Sequence, residues 1–449
     1  MHARRDSIVE KVNGVVVQLG MVPCYLDPHC HEALYEVDEG VNELRDRPDA
    51  NMDKHGQRSR SMRGFTTRQL HADGRTKPMN AHTMPIFLTS TFAFDSPEAG
   101  ADLFLGCRTG HVYSRMGNPT VETVEQVVAD LENGEAAVAF GSGMAAIQAS
   151  LLSILKAGDH VICGEALYSP SLHLITERMA DWGITSTVVH TSDVQAVEGA
   201  IRDKTKVIFY ETPANPTCKI TDIRAIAELA RPKDIVTIVD NTFSSPYFQR
   251  PLDLGADISL HSATKYLNGH GDVIGGIVVA GSELAARIRL YRRDTGGILS
   301  PFDAYLLLRG IRTLSLRMQR HHDNAMKLFE FLAGLPAVSK LYYPGDPKFP
   351  GHHVAARQMT GFGGCFSFEL AGGFEAAKRL LKGLTLCTLA VSLGTVDTLI
   401  EHPASMTHVA TPTDVMERQG LTSGLVRISV GCEDIEDVIA DLEGALKAI

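Results

Sequence analysis

The sequence lacks any apolar run long enough to cross a bilayer, which takes about 20 residues, so no membrane span is expected. Its opening, MHARRDSIVEKVNG, carries basic residues without the apolar core of a signal peptide behind them, and cytoplasmic residence is the expectation. Basic charge is short as well. Lys and Arg total 43 against 53 Asp and Glu, a formal net charge of -10 without a long acidic block. Binding a phosphate backbone needs a basic face, so a nucleic-acid partner is not expected. Only 8 cysteines are scattered through 449 residues, which suits reduced thiols rather than a disulfide framework. There is no G-x-x-x-x-G-K-[ST] loop and no G-x-G-x-x-G fingerprint, so the usual nucleotide signatures are missing. No internal repeat or low-complexity tract is visible.

What is present is a chain too long for one core, so two or more domains are expected. Residues 1 to 63 differ from the rest, with one apolar patch, Val15 to Val22, and then a mixed polar run. Cys24, His29, Cys30 and His31 lie close together there. They are zinc-ligand types, but the spacing fits no paired pattern, and no metal is expected. The segment reads as an extension that packs on a partner subunit. From Gly64 to Pro119 turn residues dominate. Asn118 and Pro119 then supply a side-chain cap and a residue preset for a first helical turn. Val121, Val124, Val128 and Leu131 recur at helical spacing, and Gly134 is the expected stop.

Ala136 to Phe140 reads as a buried strand, followed by Gly141, Ser142, Gly143 and Met144 and a helix through about Leu155. Strand, glycine-rich turn and helix make an anion site, because free N–H groups at the helix start can face a phosphate. Strands and helices then alternate: His160–Cys163, Ser171–Met179, Ser186–Val189, Asp193–Arg202, Val207–Tyr210, Ile223–Ala230 and Ile235–Val239. That pattern predicts an α/β protein with a mostly parallel sheet and helices on both faces. Ligands on such sheets bind beyond the carboxyl ends of strands. Tyr168, Asn215, Asp240 and Lys265 each follow a predicted strand closely, so they are expected to converge.

Lys265 lies in DISLHSATKYLNGHGDVIGGIVVAG, which reads as strand, polar turn, strand. Ser262 and Thr264 precede it by three residues and one. A lysine held by such a turn is a candidate Schiff-base nucleophile for an aldehyde cofactor, with the hydroxyls serving its phosphate. Each of these residues also has an ordinary reading. Lys265 could be a solvated loop lysine, Asp240 a helix cap, Asn215 a turn residue before Pro216, and Tyr168 a packing aromatic. Further on, Glu283 to Tyr291 is helical. Pro301 to about Leu332 reads as one long helix carrying Arg309, Arg312, Arg317 and Arg320, stopped by Gly334 and Pro336. Short strands and helices follow, including Gly364–Leu370, Phe374–Leu381 and a final helix Ile435–Ala448. This suggests a smaller α+β domain beginning near residue 313.

In order along the chain stand YSRMGNPT, FGSGMAAI, ETPANPT, VDNTF, HSATKYLNGHGD, LSPFDAYLLLRGIRTL, EHPASMTH and GLVRISVGCED. Together these resemble the Cys/Met-metabolism (trans-sulfuration) family of pyridoxal 5'-phosphate enzymes from about Gly64 to the end. The resemblance implies a fold type I transferase architecture in four parts: the 1–63 extension, an arm at 64–116 contacting a neighbouring subunit, a large cofactor domain at 117–312 and a C-terminal domain at 313–449. It also implies a homotetramer of two catalytic dimers. It makes Lys265 the Schiff-base lysine, pairs Asp240 with the pyridine nitrogen and stacks Tyr168 on the ring. Gly143, Met144, Ser262 and Thr264 would hold the phosphate, with Tyr113 and Arg115 arriving from the adjacent subunit. Asn215 would sit near the ring hydroxyl, and Ser392 and Arg427 would bind the substrate carboxylate. In the implied chemistry Lys265 moves protons and Tyr168 serves as general acid for a departing thiol.

Within the family, Val391 before Ser392 suits an apolar distal group where enzymes for cystathionine tend to carry a glutamate. With SMTH at 405–408, this leans toward α,γ-elimination of L-methionine to 2-oxobutyrate, ammonia and a thiol. The alternatives are cystathionine gamma-lyase or gamma-synthase activity, or γ-replacement on an O-acylhomoserine. Two features bear on the choice. Ser169 and Pro170 stand where the gamma-lyase group usually carries Gly-Cys. Arg292 and Arg293 are expected in a loop near the site, where they could favour an acidic ester.

Overall fold

The computed structural model describes residues 10–12, 15–17, 63–74, 77–409, 416 and 419–447. The chain divides into two compact units, Met1–Met62 and Arg63–Ile449. In the first, strand β1 (Glu10–Val12) pairs antiparallel with β2 (Val15–Val17). Cys24, His29, Cys30 and His31 lie outside the described residues. All that follows concerns the second unit.

Two short helices, α1 (Phe65–His71) and α2 (Pro97–Leu105), precede α3 (Pro119–Leu131). The last begins as the sequence reading expects, with the Asn118 side chain accepting the Thr120 N–H at 3.0 Å and Pro119 in the first turn. Val121, Val124, Val128 and Leu131 are all buried. The stop differs from expectation. Asn133, at φ 58°, takes the left-handed position, and Asn tolerates it because its short side chain can bond locally. Gly134 is needed for another reason: a Cβ there would lie 2.3 Å from Val279 Cγ1.

The large sheet is built from β3 (Ala136–Phe140), β4 (His160–Gly164), β5 (Thr185–Val189), β6 (Thr205–Glu211), β7 (Val236–Asp240), β8 (Ile258–Ser262) and β9 (Gly276–Ala280). Their spatial order is β3-β9-β8-β7-β6-β4-β5, and only β9 runs against the rest. The central strands are near-continuous apolar runs because both of their faces are covered. Helices α4 (Gly143–Leu152), α5 (Ser169–His173), α6 (Val194–Ala200), α7 (Ile223–Ala230), α8 (Ser245–Phe248) and α9 (Ser282–Thr295) lie between or after these strands. A π-helical turn, Leu174–Arg178, continues α5. One core packs α3 and the later helices on one face, and a second packs α4 and α9 on the other.

The single long helix expected from Pro301 is two helices, α10 (Pro301–Ile311) and α11 (Leu314–Ala333). Thr313, at φ -113° and ψ 7°, breaks them. The cause is the chain they wrap. Gly310 packs so closely on the Lys265 loop that a Cβ would lie 2.2 Å from the Asn268 carbonyl oxygen. Arg317 turns inward and donates to the carbonyls of Tyr266 at 2.8 Å and Gly310 at 2.9 Å. Its burial pushes the guanidinium down to about 10.

A second sheet contains β10 (Val338–Tyr342), β11 (Cys365–Leu370), β12 (Thr388–Leu389), β13 (Leu399–Glu401) and β14 (Leu425–Ser429), in the order β10-β11-β14-β13-β12. Its pairs are antiparallel except β12 with β13. Helices α12 (His352–Gln358), α13 (Gly373–Gly383) and α14 (Ile435–Leu446) accompany it. The six described cysteines are free thiols. No helix among the described residues is long and apolar enough to cross a membrane.

Candidate active site

A cavity of about 330 Å³ opens at the carboxyl ends of the large sheet and is closed on its far side by the segments before β13 and β14. Gly143, Met144, Tyr168, Asn215, Asp240, Ser262, Thr264, Lys265, Val391, Ser392 and Arg427 all line it. Tyr113 and Arg115, expected from the neighbouring subunit, do not line the cavity of their own chain. They lie before α3, where the Arg115 guanidinium sits 5.7 Å from the Tyr113 ring centroid and bonds to the Arg293 carbonyl.

Lys265 stands in the turn after β8, and its backbone N–H donates to the Ser262 carbonyl at 3.1 Å. Its Nζ reaches Ser392 Oγ at 2.7 Å. Ser392 has a φ of 95°, a region that costs a non-glycine residue free energy and clusters at functional sites. Burial, then the nearby Arg427 charge, lowers the Lys265 amine to about 8, against smaller opposing effects of Glu401 and Cys365.

The turn between β3 and α4 is built to receive an anion. Ser142 caps α4 by accepting the Ala145 N–H at 3.1 Å, while the N–H groups of Gly143 and Met144 have no intrahelical partner. A side chain at 143 would crowd the turn, since a Cβ would lie 3.0 Å from Ser262 Cβ and force that residue to give way. Across the gap, Thr264 Oγ1 accepts the Gly275 N–H at 3.0 Å, and Thr242 Oγ1 accepts the Ser262 N–H at 2.8 Å. Two backbone donors and the hydroxyls of Ser262 and Thr264 therefore face one place.

Beside it stand two carboxylates. Asp240 ends β7, and Glu211 is its register partner at the end of β6. Burial raises Asp240, while hydrogen bonds from Thr242 and the charge of His261 oppose the rise. Burial and then the Asp240 charge push Glu211 up to about 8, although the Tyr168 N–H donates to it at 2.6 Å. Burial thus pushes both carboxylates toward holding a proton, Glu211 up to about 8 with the Asp240 charge adding to the effect, while the Thr242 N–H donates to Asp240 at 3.0 Å. The sequence reading gave Glu211 no role, although it opens the ETPANPT motif directly after a predicted strand. Its importance comes from register against Asp240.

Arg427, on β14, is buried among three oxygens. Its Nη1 donates to Asn215 Oδ1 at 3.0 Å and lies 2.9 Å from Glu401 Oε1. Its Nη2 donates to the Ser392 carbonyl. Glu401 and the lining residue Thr407 were also missed, though both belong to the EHPASMTH motif. Tyr168 is 47% exposed and precedes α5, whose first turn holds Ser169 and Pro170. That is a position proline favours. Pro170 is exposed and does not line the cavity.

Arg292 and Arg293 do not form the expected loop. They occupy the last turn of α9, and neither lines the cavity. Arg292 is buried, with Nη1 at 2.6 Å from Glu125 Oε1 and 2.8 Å from the Ala139 carbonyl. Arg293 pairs with Asp294 at 3.0 Å. Helical periodicity turns Arg292 into the core, where only a paired guanidinium is tolerated.

Comparison with known proteins bears on this arrangement. The family described as Cys/Met metabolism PLP-dependent enzyme matches residues 66–447. An L-methionine gamma-lyase of Fusobacterium nucleatum subsp. polymorphum is 49% identical over 389 residues, covering 86% of this chain and 98% of the relative. A cystathionine gamma-lyase of Bacillus subtilis is 48% identical over 370 residues, 82% of this chain and 95% of the relative. The solved structure of a cystathionine gamma-lyase from Lactobacillus plantarum superposes with a TM-score of 0.81 at 44% identity, over 86% of this chain and 99% of that one.

Proposed function

The chain belongs to the Cys/Met-metabolism family of PLP-dependent enzymes and has their fold type I architecture, and we propose that it is a carbon–sulfur lyase acting on L-methionine or a related sulfur amino acid. The reaction is α,γ-elimination: methionine and water give 2-oxobutyrate, ammonia and methanethiol. One observation carries the choice of substrate. The wall beside Ser392 is the apolar Val391, which offers no partner to a distal charge. The relative named L-methionine gamma-lyase supports the same choice.

The residues fit the cofactor. A cradle that a Cβ at Gly143 would crowd, the hydroxyls of Ser262 and Thr264, a buried Asp240 and a lysine lowered to about 8 make up its donor set. Gly143, Met144, Ser262 and Thr264 would hold its phosphate, Asp240 its ring nitrogen, Asn215 its ring hydroxyl and Tyr168 its face. When bound, pyridoxal phosphate supplies an aldehyde that reacts with amines and a ring that accepts electron density from Cα.

The chain's own residues do the rest. Arg427 and Ser392 orient the substrate carboxylate, a planar fork suiting a planar anion. The Lys265 amine, neutral in a useful fraction near neutral pH, takes the Cα proton and carries protons onward. Tyr168, with its side chain at the cavity, protonates the departing sulfur. A proton on Glu211, whose carboxyl is pushed up to about 8, removes the like charge beside Asp240 and so favours the ionised Asp240.

The assembly belongs to the same proposal: a homotetramer in which Tyr113 and Arg115 complete the neighbour's phosphate site. Tyr113 is exposed on its own chain, as a residue serving another subunit would be. The arm is placed at 64–116, the cofactor domain at 117–312, the C-terminal domain at 313–449, the extension at 1–63, and the enzyme in the cytoplasm. Arg292 lends no support to replacement on an acidic ester, because it is committed to Glu125. The test is product balance. Purified holoenzyme given L-methionine should release methanethiol, trapped by a thiol reagent, in equimolar amount to 2-oxobutyrate. Absence of both removes the proposal.

A further inference from the structure

Glu401 is a buried acid with no place in the chemistry above. It faces Arg427 directly across the β13–β14 register. It is 1% exposed, and neither carboxylate oxygen accepts a hydrogen bond that meets ordinary geometry among the described residues. What holds it is charge: Arg427 Nη1 at 2.9 Å, and beyond it the Lys265 amine. A buried carboxylate is expensive to keep, so its place behind an anion-binding arginine calls for an account.

The guanidinium has five N–H groups. Nη1 donates to Asn215 Oδ1 and lies against Glu401 as an ion pair without a hydrogen bond of ordinary geometry, and Nη2 spends one N–H on the Ser392 carbonyl. Nε has no partner among the described residues. Nε–H and one Nη2–H are thus left without a protein partner among the described residues, and a guanidinium edge with two such N–H groups can take a carboxylate through two parallel bonds. Glu401 occupies the end of the guanidinium and leaves that edge free. It also cancels the charge that would otherwise draw in any carboxylate.

We propose that Glu401 is a specificity-determining counter-ion that makes the site select amino acids over carboxylates without an amine, the 2-oxo acid product among them. Arg427 alone would attract both. With Glu401 beside it, the fixed pair is neutral overall. A plain carboxylate then meets repulsion from Glu401 that its bonds to Arg427 must overcome. An amino acid also brings an ammonium group toward the Lys265 amine, which the Glu401 charge reaches, so attraction to that ammonium offsets the repulsion felt by its carboxylate. Weak retention of 2-oxo acid follows from the same arrangement and favours product release.

This inference rests on Arg427 as the holder of the substrate carboxylate. The probe is propanoate, which has neither amine nor leaving group, so its binding does not depend on which amino acid the enzyme consumes. Binding is followed in the holoenzyme through the absorbance of the bound cofactor, with 2-oxobutyrate tested alongside. Glu401→Gln should tighten both by about tenfold, the order expected from removing one like charge at partial screening, while KM for the amino acid changes less than threefold. Glu401→Asp should keep the weak binding of the parent enzyme, because it keeps the charge. A residue that only aligned Arg427 would make Asp and Gln behave alike, and that result overturns the proposal. So does unchanged propanoate binding in Glu401→Gln. If Glu401→Gln fails to fold, Glu401→Asp decides: tenfold tighter propanoate binding there contradicts the charge account, and parental binding supports it. Arg427→Leu should abolish the propanoate signal; if it does not, the premise is gone. Failure of the methionine reading would show separately, as a parent enzyme that binds propanoate yet releases no 2-oxobutyrate from methionine.

Discussion

The lowered proton affinity of Lys265 has a consequence that pH alone can test. With the amine at about 8, about one molecule in ten carries the neutral nucleophile at pH 7, against roughly one in three thousand for an ordinary lysine. Capture of pyridoxal phosphate by the apoprotein needs that neutral form. The second-order capture rate, followed by absorbance in a stopped-flow instrument, should rise tenfold per pH unit below 8 and level off above it. Glu211 is also held at about 8, so the series is repeated in Glu211→Gln, where the plateau should remain near 8 and a residual second transition should vanish. A rate that keeps rising to pH 10 would refute the claim that burial and Arg427 tune this amine. Stability gives the sign independently. The Lys265 value is lower in the folded chain than the ordinary 10.5, so the unfolded chain holds more protons and apoprotein stability should rise from pH 8 to 10.5. Glu211 is raised from 4.5, so the folded chain holds more protons and stability should fall from pH 4.5 to 8, a fall absent in Glu211→Gln.

Three substitutions probe other parts of the site. Glu132 Oε1 takes hydrogen bonds from His261 at 2.5 Å, Ser259 at 3.0 Å and Asn241 at 3.0 Å, all buried behind the strand ends. Glu132→Ala should therefore cost about 3–5 kcal/mol, read by urea unfolding of the apoprotein; a loss under 1 kcal/mol would contradict this. Gly143→Ala should leave unfolding nearly unchanged but weaken pyridoxal phosphate affinity by about tenfold or more through contact with Ser262, measured by equilibrium dialysis. Val391→Glu should raise kcat/KM for cystathionine relative to methionine by about fivefold, as a half-exposed ion pair allows; no change in the ratio would remove Val391 from the specificity account.

The alternation of strands and helices was legible because buried parallel strands are written as Val- and Ile-rich runs, and Asn118–Pro119 announced its helix by cap chemistry. Lys265, Asp240 and Gly143 were legible because each follows a strand in a motif whose chemistry is local. Glu211 and Glu401 were not, since each matters through a residue beside it in a sheet, Asp240 in one case and Arg427 in the other. Register between distant segments leaves little local trace. The break between α10 and α11 was hidden for a similar reason: Arg317 and Gly310 answer to the Lys265 loop, not to their own helix. Arg292 misled because two adjacent arginines read as part of a loop near the site, whereas the helix turns one of them onto Glu125.

The central claim, elimination rather than replacement, is tested most directly by one assay. Purified holoenzyme is given L-methionine, L-cystathionine or O-succinylhomoserine, each with and without an added thiol, and 2-oxobutyrate is measured. The account predicts rapid 2-oxobutyrate from methionine with no thiol added. No release from methionine, together with thiol-dependent consumption of the ester, would contradict it.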